Sequence, residues 1–283
     1  MTDSPLLRLR NFFIEELKKD IPSLCCEKKL VDSSQYCLLN GGKRIRPIIT
    51  LAISEKLGDI SLCIPSALSV EYFHTSSLIV DDLPCMDNEV FRRDKKTLHN
   101  VYGESTALLT SYGLITAAFG KIYENSKLSL LANERLSLAL ECASRCSGFH
   151  GATAGQYWDL FPQKTDLDFS LKVIYHKTVT LFEVAFQLGW LFGGGSLNLL
   201  SKVKELSLHY GMAFQITDDL LDAEEDFDNK KTVNICSSIG LDLTETLLNK
   251  HVSLYLKLLD DLNLNCDELV YIGKKLLSTA LAI

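Results

Sequence analysis

The sequence predicts an all-α fold, and three observations carry that prediction. Apolar residues recur at steps of three and four, as at Val203, Leu206, Tyr210, Phe214, Thr217 and Leu221, which lines them along one helical face. No series of short, alternating β-branched runs closed by hairpin turns is present. Only six prolines interrupt 283 residues, so the chain is compatible with long helices.

In chain order, residues 1–20 read as an amphipathic helix. They lack a basic segment followed by a long apolar run, and Glu15 arrives early, so no signal peptide is expected. Pro22, Pro47, Pro65, Pro84 and Pro162 mark helix starts or breaks. A helix over Ser66–Val80 delivers an aspartate cluster at its end, and Pro84 stops it. Helical spacing returns around Leu128–Leu140. The most apolar stretch, Leu181–Leu200, contains Glu183, Gln187 and Gly193-Gly194-Gly195; it is too interrupted to span a membrane and reads as a buried helix with a glycine stop. A helix over Lys202–Asp222 carries a second aspartate cluster, and Leu247–Leu259 is again periodic. With no linker, repeat or low-complexity tract, residues 1–283 are expected to form one domain of about ten helices.

Acids outnumber bases 36 to 29, a net charge of −7, which excludes non-specific binding to nucleic acid or an anionic membrane. The nine cysteines contain no C-x-x-C pair, so zinc is not expected and a reduced, cytoplasmic protein is.

The chemistry lies in the charged clusters. Asp81, Asp82 and Asp87 follow the apolar run Leu78-Ile79-Val80, and Asp218, Asp219 and Asp222 follow Phe214-Gln215-Ile216-Thr217. Carboxylates at a helix C-terminus oppose its dipole, and Asp218 and Asp222, four apart, share a face and repel. Such groups are either solvated helix ends or ligands of a cation. An all-oxygen donor set favours magnesium, which shares its shell with substrate phosphate oxygens. Gly41-Gly42-Lys43-Arg44-Ile45-Arg46-Pro47 and Arg92-Arg93 supply glycines for close anion approach and guanidinium forks for phosphate. Two aspartate clusters beside paired cations point to a metal–phosphate site with separate direct phosphate contacts.

The strings GGKRIRP, HTSSLIVDDLPCMDNEVFRR, AGQYWDL, HKT and FQITDDLLD, in that order over residues 41–222, resemble the trans-prenyltransferase family of farnesyl and geranylgeranyl diphosphate synthases. The resemblance implies an isoprenoid-synthase-type helical bundle around a deep central cavity, usually homodimeric, without nucleic acid or a membrane span. It implies magnesium-dependent elongation of an allylic diphosphate (dimethylallyl, geranyl or farnesyl) by isopentenyl diphosphate. By the same resemblance Asp81 and Asp87, with Asp82 beside them, hold two magnesium ions, Asp218 and Asp222 hold a third, and Asp159 lies near the metal shell. Arg92 and Lys177 contact the allylic diphosphate. Gly42, Lys43, Arg46, His74 and Arg93 cradle isopentenyl diphosphate, and Thr178 and Gln215 lie beside the carbon that becomes cationic, with Lys177 part of that catalytic group. Phe73, Ser76 and Ser77 set the floor of the product channel; the small Ser76 favours a twenty-carbon product, geranylgeranyl diphosphate, with farnesyl diphosphate next.

Three departures from the family pattern stand out. The loop after the second cluster is short, so that Lys231, or alternatively Lys230, takes the place of its diphosphate-binding lysine. Ser111-Tyr112 replaces a Gly-Asp pair, and Asp94 replaces the glycine that follows the arginine pair. Two other functions fit parts of the pattern. A non-catalytic regulatory subunit would be expected to lose cluster aspartates, and a terpene cyclase to replace the second cluster with an Asn/Ser/Glu triad.

Overall fold

The computed structural model describes residues 4–128, 132–164, 166–223 and 234–280. The all-α expectation is borne out. The helices are α1 (Leu7–Asp20), α2 (Lys28–Leu38), α3 (Ile45–Leu57), α4 (Ile64–Asp81), α5 (Leu98–Tyr102), α6 (Glu104–Ser126), α7 (Ala132–Ser147), α8 (Ala152–Leu160) and α9 (Leu167–Ile174). They continue with α10 (Thr180–Phe192), α11 (Leu200–Leu221), α12 (Ile235–Ile239), α13 (Leu241–Asp261) and α14 (Asp267–Ala280). The surplus over the expected number comes from short helices such as α5 and α12.

Every residue of α10 from Thr180 to Phe192 is buried, so this helix is the axis of the bundle. It packs on α3, α4, α7 and α11. Its apolar surface on all sides explains why it reads as the most hydrophobic stretch, and it stops at Gly193 as the glycine run predicts. Gly189 lets α3 approach: a Cβ there would lie 2.8 Å from the Thr50 carbonyl oxygen. One apolar core runs from Leu9 in α1 to Leu276 in α14. On α11 the expected stripe is buried at Val203, Leu206, Tyr210 and Thr217, whereas Leu221 is exposed because the helix end leaves the core there.

Sequence reading misses one element. A two-residue antiparallel pair, β1 (Phe91–Arg92) and β2 (Lys95–Lys96), is joined through Arg93 and Asp94. Both turn residues are left-handed, with φ 55° and 63°, as a tight hairpin turn requires. Asp94 thus adopts a left-handed conformation that glycine takes at no steric cost. The helical spacing around Leu128–Leu140 is realised from Ala132 onward.

Candidate active site

The first aspartate cluster is positioned by α4. Pro65 sits in its first turn, the helix ends at Asp81, and the following loop folds back so that the Asp87 N–H donates to the Asp81 carbonyl at 2.9 Å. Asp82 is turned inward and accepts from Arg92 Nε at 2.7 Å and Nη2 at 2.6 Å, a two-pronged pairing that fixes the hairpin to the helix end.

The second cluster belongs to α11. Asp219 is buried; its Oδ1 accepts from Gln215 Nε2 at 2.9 Å and its Oδ2 from the Ile235 N–H at 2.9 Å. It therefore ties α11 to α12. Gln215 Oε1 in turn accepts from the Thr178 hydroxyl at 2.8 Å. Asp218 is half-buried and Asp222 exposed.

Lys177 and Thr178 lie on a π-helical turn, Tyr175–Val179, between α9 and α10. Such turns widen a helix and recur at functional sites. Lys177 Nζ donates to Asp159 Oδ2 at 2.5 Å. Helix α8 is pressed against this turn through Gly155, where a Cβ would fall 2.2 Å from the Lys177 amide nitrogen.

The basic side is built by the turn between α2 and α3, in which Gly41, Gly42 and Arg44 all have positive φ. Arg93 reaches into that turn, and its Nη1 donates to the Gly41 carbonyl at 3.2 Å. A Cβ at Gly42 would stand 2.4 Å from the same Nη1, so glycine makes room for the guanidinium. Arg46 Nη1 lies 3.5 Å from His74 Nε2, and its guanidinium carbon stacks 4.0 Å from the Phe182 ring centroid. Arg44 differs from its neighbours. It points into the core and pairs with the buried Glu71 and the Leu38 carbonyl. Glu71 and Arg44 escape sequence reading because adjacency in a GGKRIR string does not say which cation faces the site.

Together with the charges that act on one another, these contacts outline a ring. Asp82 joins Arg92, and His74 feels Arg92, Arg93 and Arg46. Arg46 feels Asp218, Gln215 joins Thr178, and the adjoining Lys177 feels Asp81. The structure thus brings together Asp81, Asp82, Asp87, Asp159, Asp218, Asp222, Arg92, Arg93, Lys43, Arg46, His74, Lys177, Thr178 and Gln215. Lys230 and Lys231 lie outside the described residues.

The electrostatics of the ring are those of a site that wants cations on one side and an anion on the other. Burial pushes Asp81 up to about 6, with Asp87 and Asp82 adding to the rise and Lys177 opposing it. Burial likewise pushes Asp218 up to about 6, with Asp222 and Asp219 adding and Lys43 opposing. Desolvated carboxylates next to like charges are relieved by a bound cation. Among the described residues, the only His/Cys/Asp/Glu trio with ligand atoms converging within 4.8 Å is Cys142, Cys146 and Glu183, which contains none of the cluster aspartates. The aspartates therefore form no closed protein cage, and an open set of carboxylate oxygens fits magnesium, which completes its shell with water and phosphate. Burial, then Arg46, Arg93, Arg44 and Arg92, hold His74 well below its ordinary value, so it is neutral at pH 7. Burial also draws Arg46 down to about 10. Lys177 is raised: burial lowers it, but Asp159 and Asp81 outweigh that effect.

The channel-floor candidates lie one to two turns below Asp81. Phe73 and Ser76 are buried, and the Phe73 ring meets Phe119 of α6 edge-on at 5.1 Å. Ser111 Oγ donates to the Ser76 carbonyl at 3.1 Å. The serine that departs from the family pattern thus ties α6 to the helix bearing the first cluster. Phe119 has no motif signal and emerges only from the packing.

Comparison with known proteins bears on the family and the fold. Residues 27–251 match the family model described as polyprenyl synthetase. The chain is 40% identical over 200 residues to the "Heterodimeric geranylgeranyl pyrophosphate synthase large subunit 2" of Arabidopsis thaliana, covering 69% of this chain and 52% of that protein. It is also 40% identical over 199 residues to the "Farnesyl diphosphate synthase" of Geobacillus stearothermophilus, covering 69% of this chain and 67% of that one. Against the first relatives the chain spans little more than half their length, 52% and 59%. Among solved structures, an apo FPP/GFPP synthase from Zymomonas mobilis superposes with a TM-score of 0.86 at 26% identity, covering 96% of this chain and 98% of that one.

Proposed function

We propose, from the premise that the chain belongs to the polyprenyl synthetase family, that it elongates an allylic diphosphate with isopentenyl diphosphate to an all-trans product of fifteen to twenty carbons. The observation that carries this reading is the ring itself: two desolvated aspartates on different helices, Asp81 beside the Lys177 cation and Asp218 beside the Lys43 and Arg46 cations. One domain over residues 1–283 is supported by the core that joins α1 to α14.

Asp81, Asp82, Asp87, Asp159, Asp218 and Asp222 would hold about three magnesium ions, the number the family resemblance implies for open carboxylate sites. When bound, these ions neutralise the diphosphate and make it a better leaving group. Lys177 and Arg92 orient the allylic diphosphate as charge-assisted donors. Lys43, Arg46, Arg93 and the neutral His74 hold the second diphosphate. Gly42 contributes by leaving room for Arg93. As the allylic C–O bond breaks, the carbonyl dipole of Gln215, fixed by Thr178 and Asp219, and the π-turn at Lys177 and Thr178 stabilise the carbon that becomes positive. The alkene of isopentenyl diphosphate attacks that carbon, and the proton lost passes to the released diphosphate. The apolar body below α4 excludes water, which would otherwise capture the cation. Phe73, Ser76 and Ser77 set the product length, with Phe119 supporting Phe73 from α6. Geranylgeranyl diphosphate is the favoured product.

No helix among the described residues is long and apolar enough to cross a membrane. All nine cysteines are free, which supports a reducing compartment such as the cytoplasm. The outer face of α6 exposes Leu108, Leu109, Tyr112 and Tyr123, with Tyr112 at 70%. Exposed apolar side chains gathered on one helix support a homodimer through α6. A heteromer with a homologous chain is the second reading, favoured by a relative named as a heterodimeric large subunit.

The test is incubation of the purified protein with magnesium, radiolabelled isopentenyl diphosphate and each allylic primer, followed by sizing of the products. The expected result is elongation to fifteen or twenty carbons. No elongation with any primer, alone or with a homologous partner, would contradict the reading.

A further inference from the structure

We propose that His209 and His251 form a site for one divalent transition-metal ion of the zinc class, separate from the aspartate clusters and fastening α11 to α13. The site goes beyond the proposed function and does not depend on it. His209 lies midway along α11 and His251 midway along α13, two helices that pack on each other. Their Nδ1 atoms face each other at 3.0 Å. Two imidazole nitrogens on a zinc-class ion, each at about 2.0–2.1 Å and set at the tetrahedral angle, stand roughly 3.3 Å apart. A small opening of the pair therefore admits an ion. Cysteine spacing gives no zinc signal, and these histidines, 42 residues apart, meet only in the fold.

The surroundings are those of a ligating pair. Glu205, one turn before His209 on the same helical face, brings its carboxylate to 4.0 Å from His209 Nε2. A carboxylate behind the outer nitrogen of an imidazole draws the ring proton there and leaves Nδ1 as a lone pair for a metal. Both rings are neutral at pH 7, as ligands must be. Burial holds His209 below its ordinary value, with Glu205 opposing, and draws His251 down to about 4, with His209 and Lys250 adding. Lys250 repels a cation, but it is exposed and the exposed Glu205 offsets it. Both histidines are partly exposed, so an ion can enter from solvent and take water as its remaining ligands. Imidazole donors select zinc, copper, nickel or cobalt, whereas the oxygen donors of the aspartate clusters select magnesium. The Cys142, Cys146 and Glu183 trio is the poorer candidate, because all three are buried and Glu183 already accepts from Arg145 and Gln187 at 2.6 Å.

The test is titration of cobalt(II) chloride into the reduced protein in excess magnesium, which keeps the aspartate clusters supplied, followed by visible absorption and thermal unfolding. The expected result is one tightly bound cobalt per chain, with the bands of a nitrogen and oxygen shell and no thiolate-to-cobalt charge transfer. Melting is expected to rise by about 2–4 °C over magnesium alone with free cobalt at roughly ten times its dissociation constant. His209→Gln and His251→Gln are each expected to lose both the bands and the rise. Their metal-free melting temperatures do not enter, because the measured quantity is the difference with and without cobalt. Glu205→Gln is expected to weaken cobalt affinity about 10-fold or more, and Cys142→Ser to change nothing. Bands and a rise that persist in both histidine variants, charge transfer that disappears in Cys142→Ser, or a wild type that binds no cobalt overturns the proposal. The histidines are then a hydrogen-bonded contact between two helices. None of these measurements needs a prenyl substrate, so failure of the proposed function leaves the test intact.

Discussion

In the first aspartate cluster the middle residue, Asp82, is held by the Arg92 guanidinium across the hairpin; in the second, Asp219 is held by Gln215 and by the backbone N–H of Ile235. The outer partners, Asp81 and Asp218, share one fate: both are pushed up to about 6 by burial. Each cluster thus separates into a carboxylate left facing the ring and a carboxylate that secures its own helix. The difference lies in what is secured. Asp82 fixes a cation that itself points toward the site, so its loss acts on ligand binding. Asp219 fixes a helix junction, so its loss acts on the fold.

The largest expected effect tests the shared part. Asp81→Ala and Asp218→Ala are each expected to lower kcat by about 10²–10³-fold or more, the scale of losing one preorganised electrostatic group, measured as product formed per minute at saturating substrates. Equal melting temperatures with unequal activity would separate the two clusters in role. Next comes the contrast. Asp219→Ala leaves the buried Ile235 N–H unpaired and is expected to cost about 1–3 kcal/mol in denaturant unfolding. Asp82→Ala, whose partner Arg92 can reach water, is expected to cost about 1 kcal/mol or less while raising KM for the allylic primer. If the two stabilities fall equally, the division between site and junction is wrong.

The pH response sharpens the same comparison. Both facing aspartates have folded values raised above the ordinary 3.8. Their contribution to stability is therefore fully present below that value and lost as pH rises through about 6. In metal-free protein, the stability gained by Asp81→Asn plus Asp218→Asn should grow between pH 4 and pH 7; a pH-independent difference would contradict the burial account. On the basic side, Gly42→Ala must displace Arg93 and adopt a φ of +94°. It is expected to lower stability by about 1–2 kcal/mol and to raise KM for isopentenyl diphosphate more than for the primer. The smallest effect concerns the hairpin. Asp94→Gly relieves a left-handed residue at φ 63° and is expected to stabilise the protein by about 1 kcal/mol or less in thermal unfolding.

Much of this was legible in the sequence because the motif residues cluster at helix ends, where spacing and type are informative. The helix from Ser66 to Val80 differs from α4 by two residues at its start and one at its end, and the stripe on α11 is buried at four positions, partly buried at Phe214 and exposed at Leu221, where the chain leaves the core. What stayed hidden depends on direction in space. Arg44, Lys43 and Arg46 are near neighbours, yet a left-handed backbone at Arg44 turns only that side chain onto Glu71. The hairpin at Phe91–Lys96 is too short for any periodicity. Ser111 looks like a lost motif residue until its hydroxyl is seen on the Ser76 carbonyl.

The central claim is that Asp81 and Asp218 act on one ligand from two helices. Magnesium-dependent affinity for inorganic diphosphate, measured by calorimetry for the wild type, Asp81→Asn, Asp218→Asn and the double variant, tests it most directly. The account predicts that the double variant loses less than the sum of the single losses, and that affinity vanishes without magnesium. Additive losses, or affinity that is unchanged without magnesium, would contradict it.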